Sequence, residues 1–286
     1  MFDYIVIGGG SAGCVLAGRL SEDPALRVCL LEAGGSDASV FIHCPGGLAV
    51  MAKFELNGWG QRTTPQPGLH GRQGYQPRGK VLGGSSSINA MIYARGQPAD
   101  YDHWAAQGNP GWAWQDVLPY FKRSEHNERG ADAWHGQGGP LNVMDLRSPN
   151  PVAQQFVEAG VQAGELRNGD FNGPSQEGVG MYQVTHKNGE RFSAAKAYLT
   201  PHLARPNLRV ITGARATRIV LEGRRAVGVE YEQGGVRQTL RCSREVLLAA
   251  GALLSPQLLM LSGIGPGELL RQQGIAVAHD LPGVGM

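Results

Sequence analysis

The amino-acid sequence predicts an α/β fold built around a parallel β-sheet. The apolar run Tyr4–Ile7 leads directly into a glycine-rich turn, and the amphipathic stretch Cys14–Leu20 and a second apolar run, Arg27–Leu31, follow in that order. Strand, turn, helix and strand in this order are typical of a βαβ unit, whose two strands lie parallel in one sheet. From Leu208 onward the pattern changes to short β-type runs, which indicates a further strand-rich region.

The turn after the first strand has the spacing Gly-x-Gly-x-x-Gly, with glycines at Gly8, Gly10 and Gly13. The first glycine allows a sharp turn out of the strand, the second lets a diphosphate approach the backbone, and the third lets the helix pack closely on the sheet. The helix N-terminus favours negative charge through its free N–H groups and its dipole. These residues predict a diphosphate site of the Rossmann type. A loop that merely needs positive φ angles is the alternative.

Glu32 directly follows the second predicted strand, about 20 residues beyond the last glycine of the turn. A carboxylate at this position accepts hydrogen bonds from ribose hydroxyls and repels a 2′-phosphate. The sequence therefore predicts an adenine dinucleotide and disfavours NADP.

Composition excludes several classes of protein. The net charge of +2 is not concentrated in a basic run, so nucleic acid is not an expected partner. No apolar run approaches the roughly 18 residues of a membrane-spanning helix, and the N-terminus lacks the zones of a signal peptide. A cytoplasmic location is expected, with peripheral association with the inner membrane as an alternative. The four cysteines lack C-x-x-C spacing and are expected to be reduced thiols without a metal.

Secondary structure can be predicted along much of the remaining chain. Residues 34–98 contain many Gly and Pro residues and little helical periodicity, which predicts a long, mostly extended excursion. Helices are predicted over Asp100–Ala106, Trp114–Arg123, Pro151–Ala163 and Ser193–Leu199, the last with Ser193 as N-cap. Val179–Val184 has a strand pattern.

The C-terminal part predicts a β-meander. Its expected strands are Leu208–Ile211, Ala216–Leu221, Ala226–Tyr231, Arg237–Arg241 and Glu245–Leu248. The run Val246–Ala250 is apolar enough for a buried parallel strand. A helix over Ser255–Leu261 is expected behind Gly251, with Pro256 at a position that needs no N–H group.

Two further segments are rich in glycine and small residues. One runs from Arg78 to Asn89 and contains Gly83-Gly84-Ser85-Ser86-Ser87, whose bare N–H groups and hydroxyls suit a flat polar ring or a phosphate. The other is Gly251–Gly265. Taken singly, the first could be a serine-capped turn and the second a helix cap.

With the opening turn, these segments resemble the glucose-methanol-choline (GMC) oxidoreductases, FAD-dependent alcohol dehydrogenases and oxidases. Gly79–Asn89, extended through Tyr93 and Gly96, is similar to the first family signature, and Gly251–Gly265 to the second. The resemblance runs from Met1 to Met286. Segments 31–35, 170–173 and 183–185 are most similar to bacterial choline-dehydrogenase-like and acceptor-linked alcohol dehydrogenases.

The resemblance implies an FAD site. The ADP half of FAD is expected at Gly8, Gly10, Ser11, Ala12, Gly13, Glu32 and Ala33. The diphosphate and isoalloxazine are expected at Arg78, Val81, Gly83, Gly84, Ser85, Asn89, Ala90, Met91 and Ile92. The backbone of Ala216 is expected to contact adenine, and Gly251 to lie near the cofactor. Some members bind FAD covalently through a histidine that Ile88 replaces here, so the resemblance implies non-covalent FAD.

The resemblance also implies that this chain is an N-terminal portion. The histidine pair that performs the alcohol chemistry in the family is expected beyond Met286. The eight histidines present match no family catalytic position: His43, His70, His103, His126, His135, His186, His202 and His279. The surface that a missing half would leave favours self-association.

The expected domains are an FAD-binding domain over residues 1–150 and 191–286 and a partial substrate or cap segment over 151–190. The expected activity is oxidation of an alcohol or choline-like CH–OH donor by hydride transfer to flavin. Two alternatives stay open: a non-catalytic dinucleotide-binding module complemented by a partner chain, and an NAD-dependent dehydrogenase, which leaves the second and third segments unexplained.

Overall fold

A computed structural model describes all residues from Met1 to Met286. The strands are β1 (Phe2–Ile7), β2 (Val28–Leu31), β3 (Gln61–Arg62), β4 (Tyr75–Gln76), β5 (Glu125–Asn127), β6 (Leu141–Val143), β7 (His186–Lys187), β8 (Glu190–Arg191), β9 (Leu208–Ile211), β10 (Ala214–Glu222), β11 (Arg225–Gln233), β12 (Val236–Leu248), β13 (Ile264–Gly265) and β14 (His279–Asp280).

The α-helices are α1 (Ser11–Leu20), α2 (Val40–His43), α3 (Gly47–Phe54), α4 (Pro98–Ala106), α5 (Trp114–Ser124), α6 (Pro151–Gln162), α7 (Gly251–Leu261) and α8 (Gly267–Gln272). Short 3₁₀ helices cover Pro67–Leu69, Gly84–Ser87 and Thr200–His202, and a single π-helical turn covers Ala195–Leu199. None of these helices combines the length and the apolar character that crossing a bilayer requires.

The chain forms two compact units. The first comprises Met1–Ile88 and Ser193–Met286, and the second Asn89–Phe192. The sequence predicts the first domain boundary after residue 150, whereas the compact units divide at 88/89. The functional roles assigned to these domains stay predictions.

The first unit is built on a six-stranded sheet in the order β10-β11-β12-β1-β2-β9. β1 pairs in parallel with both β12 and β2, and β2 pairs in parallel with β9. All four residues of β2 are buried, as expected for a strand covered on both faces of a parallel sheet. The predicted α/β fold with its βαβ unit is confirmed.

The predicted meander is correct in kind but wrong in extent. Three antiparallel strands, β10, β11 and β12, form it, whereas Leu208–Ile211 joins the parallel part of the sheet beside β2. The two predicted runs Arg237–Arg241 and Glu245–Leu248 are one continuous strand, because its first half pairs with β11 and its second half with β1.

Three other local predictions are corrected. α2 and α3 lie within residues that the sequence predicts to be extended. Only Ile42, Gly47 and Met51 are buried in these two helices, so the apolar periodicity that would predict a helix is too brief to recognise. Val179–Val184 makes only single-residue bridges, at Val179 and at Val184, and is not a strand. α7 begins at Gly251, so Pro256 lies inside the helix and not at its start.

The second unit holds α4, α5 and α6, whose predicted ranges agree with the observed ones to within two residues at each end. The second unit also contains a largely buried polar network. Arg95 and Glu125 form an ion pair at 2.8 Å with side chains 1% and 0% exposed. His135 lies between Glu125 and Asp170, with its ring nitrogens 3.0 and 2.8 Å from their carboxylate oxygens.

Candidate functional site

A cavity of about 800 Å³ opens in the first unit where the parallel strands end. Its walls come from the residues that follow β1, β2 and β12, together with the start of β10 and the length of α7. Ligands of open α/β sheets bind outside the carboxyl ends of the strands, where the strand order reverses. The chain from β1 proceeds to β2 on one side while β12 lies on the other, so this cavity occupies such a point.

The glycine turn after β1 has little room for side chains on its protein side. Gly8 has φ +98°, and a Cβ there would lie 2.6 Å from the Ala249 carbonyl oxygen. A Cβ at Gly13 would lie 1.8 Å from the Gly8 oxygen, so the first turn of α1 packs directly on the loop before it. A Cβ at Gly10 would meet no atom closer than the Gly84 Cα at 3.9 Å. The space beside Gly10 is therefore open to a ligand.

The N-terminus of α1 forms part of the wall of this cavity. Gly10, Ser11 and Ala12 line the wall, and no side chain caps the helix at its N-cap residue Gly10. The first turn carries no acidic residue that would neutralise the helix dipole. Such an end attracts an anion through its unpaired N–H groups.

Glu32 is 5% exposed and lies in the cavity wall at the end of β2. One carboxylate oxygen accepts the Gly9 N–H at 2.8 Å, and the other accepts the Gly34 N–H at 2.7 Å. Burial raises the pKa of this carboxyl group, and the two backbone N–H donors oppose that rise. Each oxygen retains a second lone pair for a hydroxyl donor. Glu32 thus holds the glycine turn in place and still offers two acceptors.

The second glycine-rich segment lies against the first. The Gly83 N–H donates to the Gly9 carbonyl at 2.7 Å, and a Cβ at Gly84 would lie 2.7 Å from the Gly10 Cα. The two turns that carry the cofactor prediction are therefore in direct backbone contact.

Eleven of the predicted cofactor residues line the cavity. They are Gly8, Gly10, Ser11, Ala12, Glu32, Ala33, Arg78, Gly84, Ser85, Ala216 and Gly251. Gly13, Val81 and Gly83 do not line the cavity. Gly13 packs on the Gly8 carbonyl, the Val81 carbonyl accepts the Gly84 N–H at 2.8 Å, and Gly83 directly precedes Gly84. The binding role of all of them stays a prediction.

Asn89, Ala90, Met91 and Ile92 belong to the second unit. The Asn89 side-chain oxygen accepts the Met91 N–H at 3.1 Å, and the buried Arg191 guanidinium donates to both oxygens of Asn89 at 2.7 and 2.9 Å. This support holds Met91 at φ +61°, an unusual angle for a residue with a side chain.

The sequence did not single out several cavity residues. Trp59, which follows α3 in the chain, also lines the cavity. Its backbone N–H donates to the carbonyl of Arg78, another lining residue, at 3.0 Å. The apolar face of α7 contributes Leu253, Leu254, Leu258 and Leu261. The high apolar content of residues 251–261 was the available signal for α7, whereas nothing local marked Trp59. No histidine is among the lining residues.

The comparisons with known proteins agree with this architecture. The sequence profile described as GMC oxidoreductase matches residues 2–285. The chain is 51% identical to an alcohol dehydrogenase [acceptor] of Pseudomonas putida over 288 residues, which is 100% of this chain and 52% of that protein. It is 50% identical to an oxygen-dependent choline dehydrogenase of Brucella anthropi over 283 residues, or 99% of this chain and 51% of that protein.

Solved structures give the same result. The crystal structure of pyridoxine 4-oxidase from Mesorbium loti matches with a TM-score of 0.94 at 38% identity and covers 99% of this chain and 56% of that one. An FAD-dependent oxidoreductase from Chaetomium thermophilum matches with a TM-score of 0.92 at 35% identity, over 99% of this chain and 51% of that one. The chain spans about half the length of the relatives it matches. With nearly every residue inside the matched profile, the chain belongs to the GMC oxidoreductase family.

Proposed function

We propose that this chain binds FAD non-covalently and forms the N-terminal part of an oxidoreductase that acts on the CH–OH group of an alcohol or choline-like donor. The single observation that carries the proposal is the cavity of about 800 Å³, into which the α1 N-terminus, Glu32 and the Gly84–Ser85 turn converge. Its volume lies toward the upper end of pockets for small molecules and cofactors, which span roughly 300 to 1,000 Å³.

The residues present fit an adenine dinucleotide. The open space beside Gly10 and the uncapped α1 N-terminus would hold the diphosphate, and Glu32 would accept ribose hydroxyls. The backbone at Ala216 and the apolar face of α7 would enclose the adenine. FAD, when bound, would supply the hydride acceptor for the alcohol carbon.

Non-covalent binding is supported by the surroundings of Ile88. Its side chain packs against the buried cluster of Ile42, Met51 and Val81. An isoleucine side chain has no nucleophilic atom that could bond to a flavin, so FAD should be released intact when the protein is denatured.

Reconstitution with FAD tests the proposal. Purified chain incubated with FAD and passed through a desalting column should retain a flavin absorbance close to that of free FAD, in a stoichiometry near one per chain. Acid precipitation should then free all of the flavin. Colourless protein, or protein that binds NADH in place of FAD, would overturn the proposal, and flavin that stays with the precipitate would overturn the non-covalent part.

A further inference from the structure

The three consecutive serines of the second glycine-rich turn differ in their hydrogen-bond partners. Ser85 lines the cavity, and its hydroxyl oxygen accepts the Gly79 N–H at 3.2 Å. The Ser87 hydroxyl is buried and donates to the Leu82 carbonyl at 2.7 Å, within the same turn. Ser86 alone among them bonds to a segment far along the chain.

The Ser86 hydroxyl links two backbone segments by hydrogen bonds, one at Gly83 and one at Ala194. It donates to the Gly83 carbonyl at 2.6 Å and accepts the Ala194 N–H at 3.0 Å. Gly83 in turn donates its own N–H to the Gly9 carbonyl of the first glycine turn. A continuous set of hydrogen bonds, two of them made by the Ser86 hydroxyl, therefore joins residue 194 to both glycine turns.

Residue 194 opens the short helical segment 194–199, whose last five residues form the π-helical turn. This segment also packs on α1, where a Cβ at Gly18 would lie 2.2 Å from the Tyr198 carbonyl oxygen. Ala195 and Leu199 are each 1% exposed, so the segment is firmly held in the protein core. π-helical turns are rare and occur frequently at functional sites.

We propose that Ser86 is a positioning residue for the dinucleotide: its hydroxyl ties the Gly83–Gly84 turn to the 194–199 segment and so sets the separation of the two glycine turns that face the diphosphate. Ser86 does not line the cavity. It acts through Gly83 and Gly84, and the proposal rests on the proposed FAD function. Loss of the hydroxyl would let the turn shift without removing any group that contacts the ligand.

The test compares FAD affinity in three variants by fluorescence titration. Ser86→Ala should raise the Kd for FAD by about three- to tenfold, the usual worth of one hydrogen bond. Ser86→Thr keeps a hydroxyl and should restore the wild-type Kd. Ser193→Ala is the matched control, because Ser193 directly precedes the 194–199 segment and its hydroxyl accepts the Lys196 N–H at 3.3 Å without bonding to the turn.

A purely structural role for Ser86 would give a different pattern. Ser86→Ala and Ser193→Ala would then both lower the free energy of unfolding and leave the Kd unchanged. An unchanged Kd in Ser86→Ala, or an equal rise in Ser193→Ala, overturns the proposal.

Hydrogen exchange on the protein without FAD tests the bridge independently of the cofactor. Ser86→Ala should speed amide exchange at Ala194 and over residues 83–86, with no change in β2. Wild-type protection at Ala194 in this variant overturns the proposal. If wild-type protein failed to bind FAD, the proposed function would fall, and the exchange experiment would still decide whether Ser86 sets the turn.

Discussion

Two glycines of the first glycine turn, Gly10 and Gly13, differ in how much space surrounds them. Gly13 and Gly10 belong to the same motif, yet a Cβ would lie 1.8 Å from a carbonyl oxygen at Gly13 and 3.9 Å from the nearest atom at Gly10. The protein's own packing leaves no room for a side chain at Gly13, whereas the space beside Gly10 is open and is where we propose that the diphosphate binds. We therefore expect substitution of Gly13 to lower stability and substitution of Gly10 to weaken ligand binding.

We predict that Gly13→Ala lowers the free energy of unfolding by about 1–3 kcal/mol, because the added methyl group forces α1 away from the preceding loop. Urea denaturation followed by circular dichroism measures this change. Gly10→Ala is its control, with stability close to wild type and weaker FAD binding. Equal stability of the two variants would contradict the prediction.

Glu32 supports a second prediction at the same scale. Glu32→Gln replaces one acceptor oxygen by an NH₂ group that faces the N–H of Gly9 or Gly34. We expect a loss of about 1–3 kcal/mol in the free energy of unfolding, the usual cost of leaving a buried donor unpaired. FAD binding should weaken as well. A variant with unchanged stability would show that these two N–H bonds are dispensable.

At the scale of elements, the second unit depends on ionisable groups that join distant segments. Glu125 begins β5, His135 lies in the loop before β6, and Asp170 follows α6. Hydrogen bonding to Glu125 and to Asp170 raises the pKa of His135, with the Glu125 bond as the larger cause and burial opposing it. The protonated imidazole therefore holds these segments together more strongly than the neutral ring.

This shift predicts a pH dependence of stability. The folded-state pKa lies above the unfolded value of 6.5, so the stabilising contribution is fully present below pH 6.5 and is lost as pH rises through the folded pKa. We expect the difference in unfolding free energy between wild type and His135→Gln to shrink as pH rises from about 5.5 to about 8.5. Urea titrations across this range measure it, and a constant difference would contradict the assignment to His135.

At the scale of the whole molecule, the cavity in which we propose that FAD binds has no histidine in its wall. A histidine or comparable base is the usual partner for removing a hydroxyl proton and contributes roughly 10²- to 10⁴-fold to the rate. The chain spans about half the length of its relatives.

We therefore predict that the 286-residue chain, loaded with FAD under anaerobic conditions, shows no bleaching of the flavin on addition of a primary alcohol or choline. The absorbance spectrum recorded over time is the measurement. Chemical reduction with dithionite is the control, since it must bleach the same sample. Rapid bleaching by the alcohol would place a competent base within this chain.

Sequence by itself determined the features that are local in the chain. The βαβ unit, the Gly-x-Gly-x-x-Gly turn and Glu32 were predictable because strand, turn and helix preferences act over a few neighbouring residues. The three long helices α4, α5 and α6 were predictable from their start signals and periodicity. The resemblance to a family followed from motifs of the same local kind.

Tertiary structure decided what depends on residues that are distant in the chain. Leu208–Ile211 joined β2 and not the meander, and β12 became one strand, because strand partners are chosen by packing across the sheet. The Trp59 N–H donates to the Arg78 carbonyl beside the cavity, and the Ser86 hydroxyl accepts the N–H of the distant Ala194. The sequence could predict which groups suit a diphosphate, but only folding fixed the distances between them. Those distances depend on contacts between residues far apart in the chain, such as the Ala249 N–H that donates to the Ile7 carbonyl at 2.8 Å.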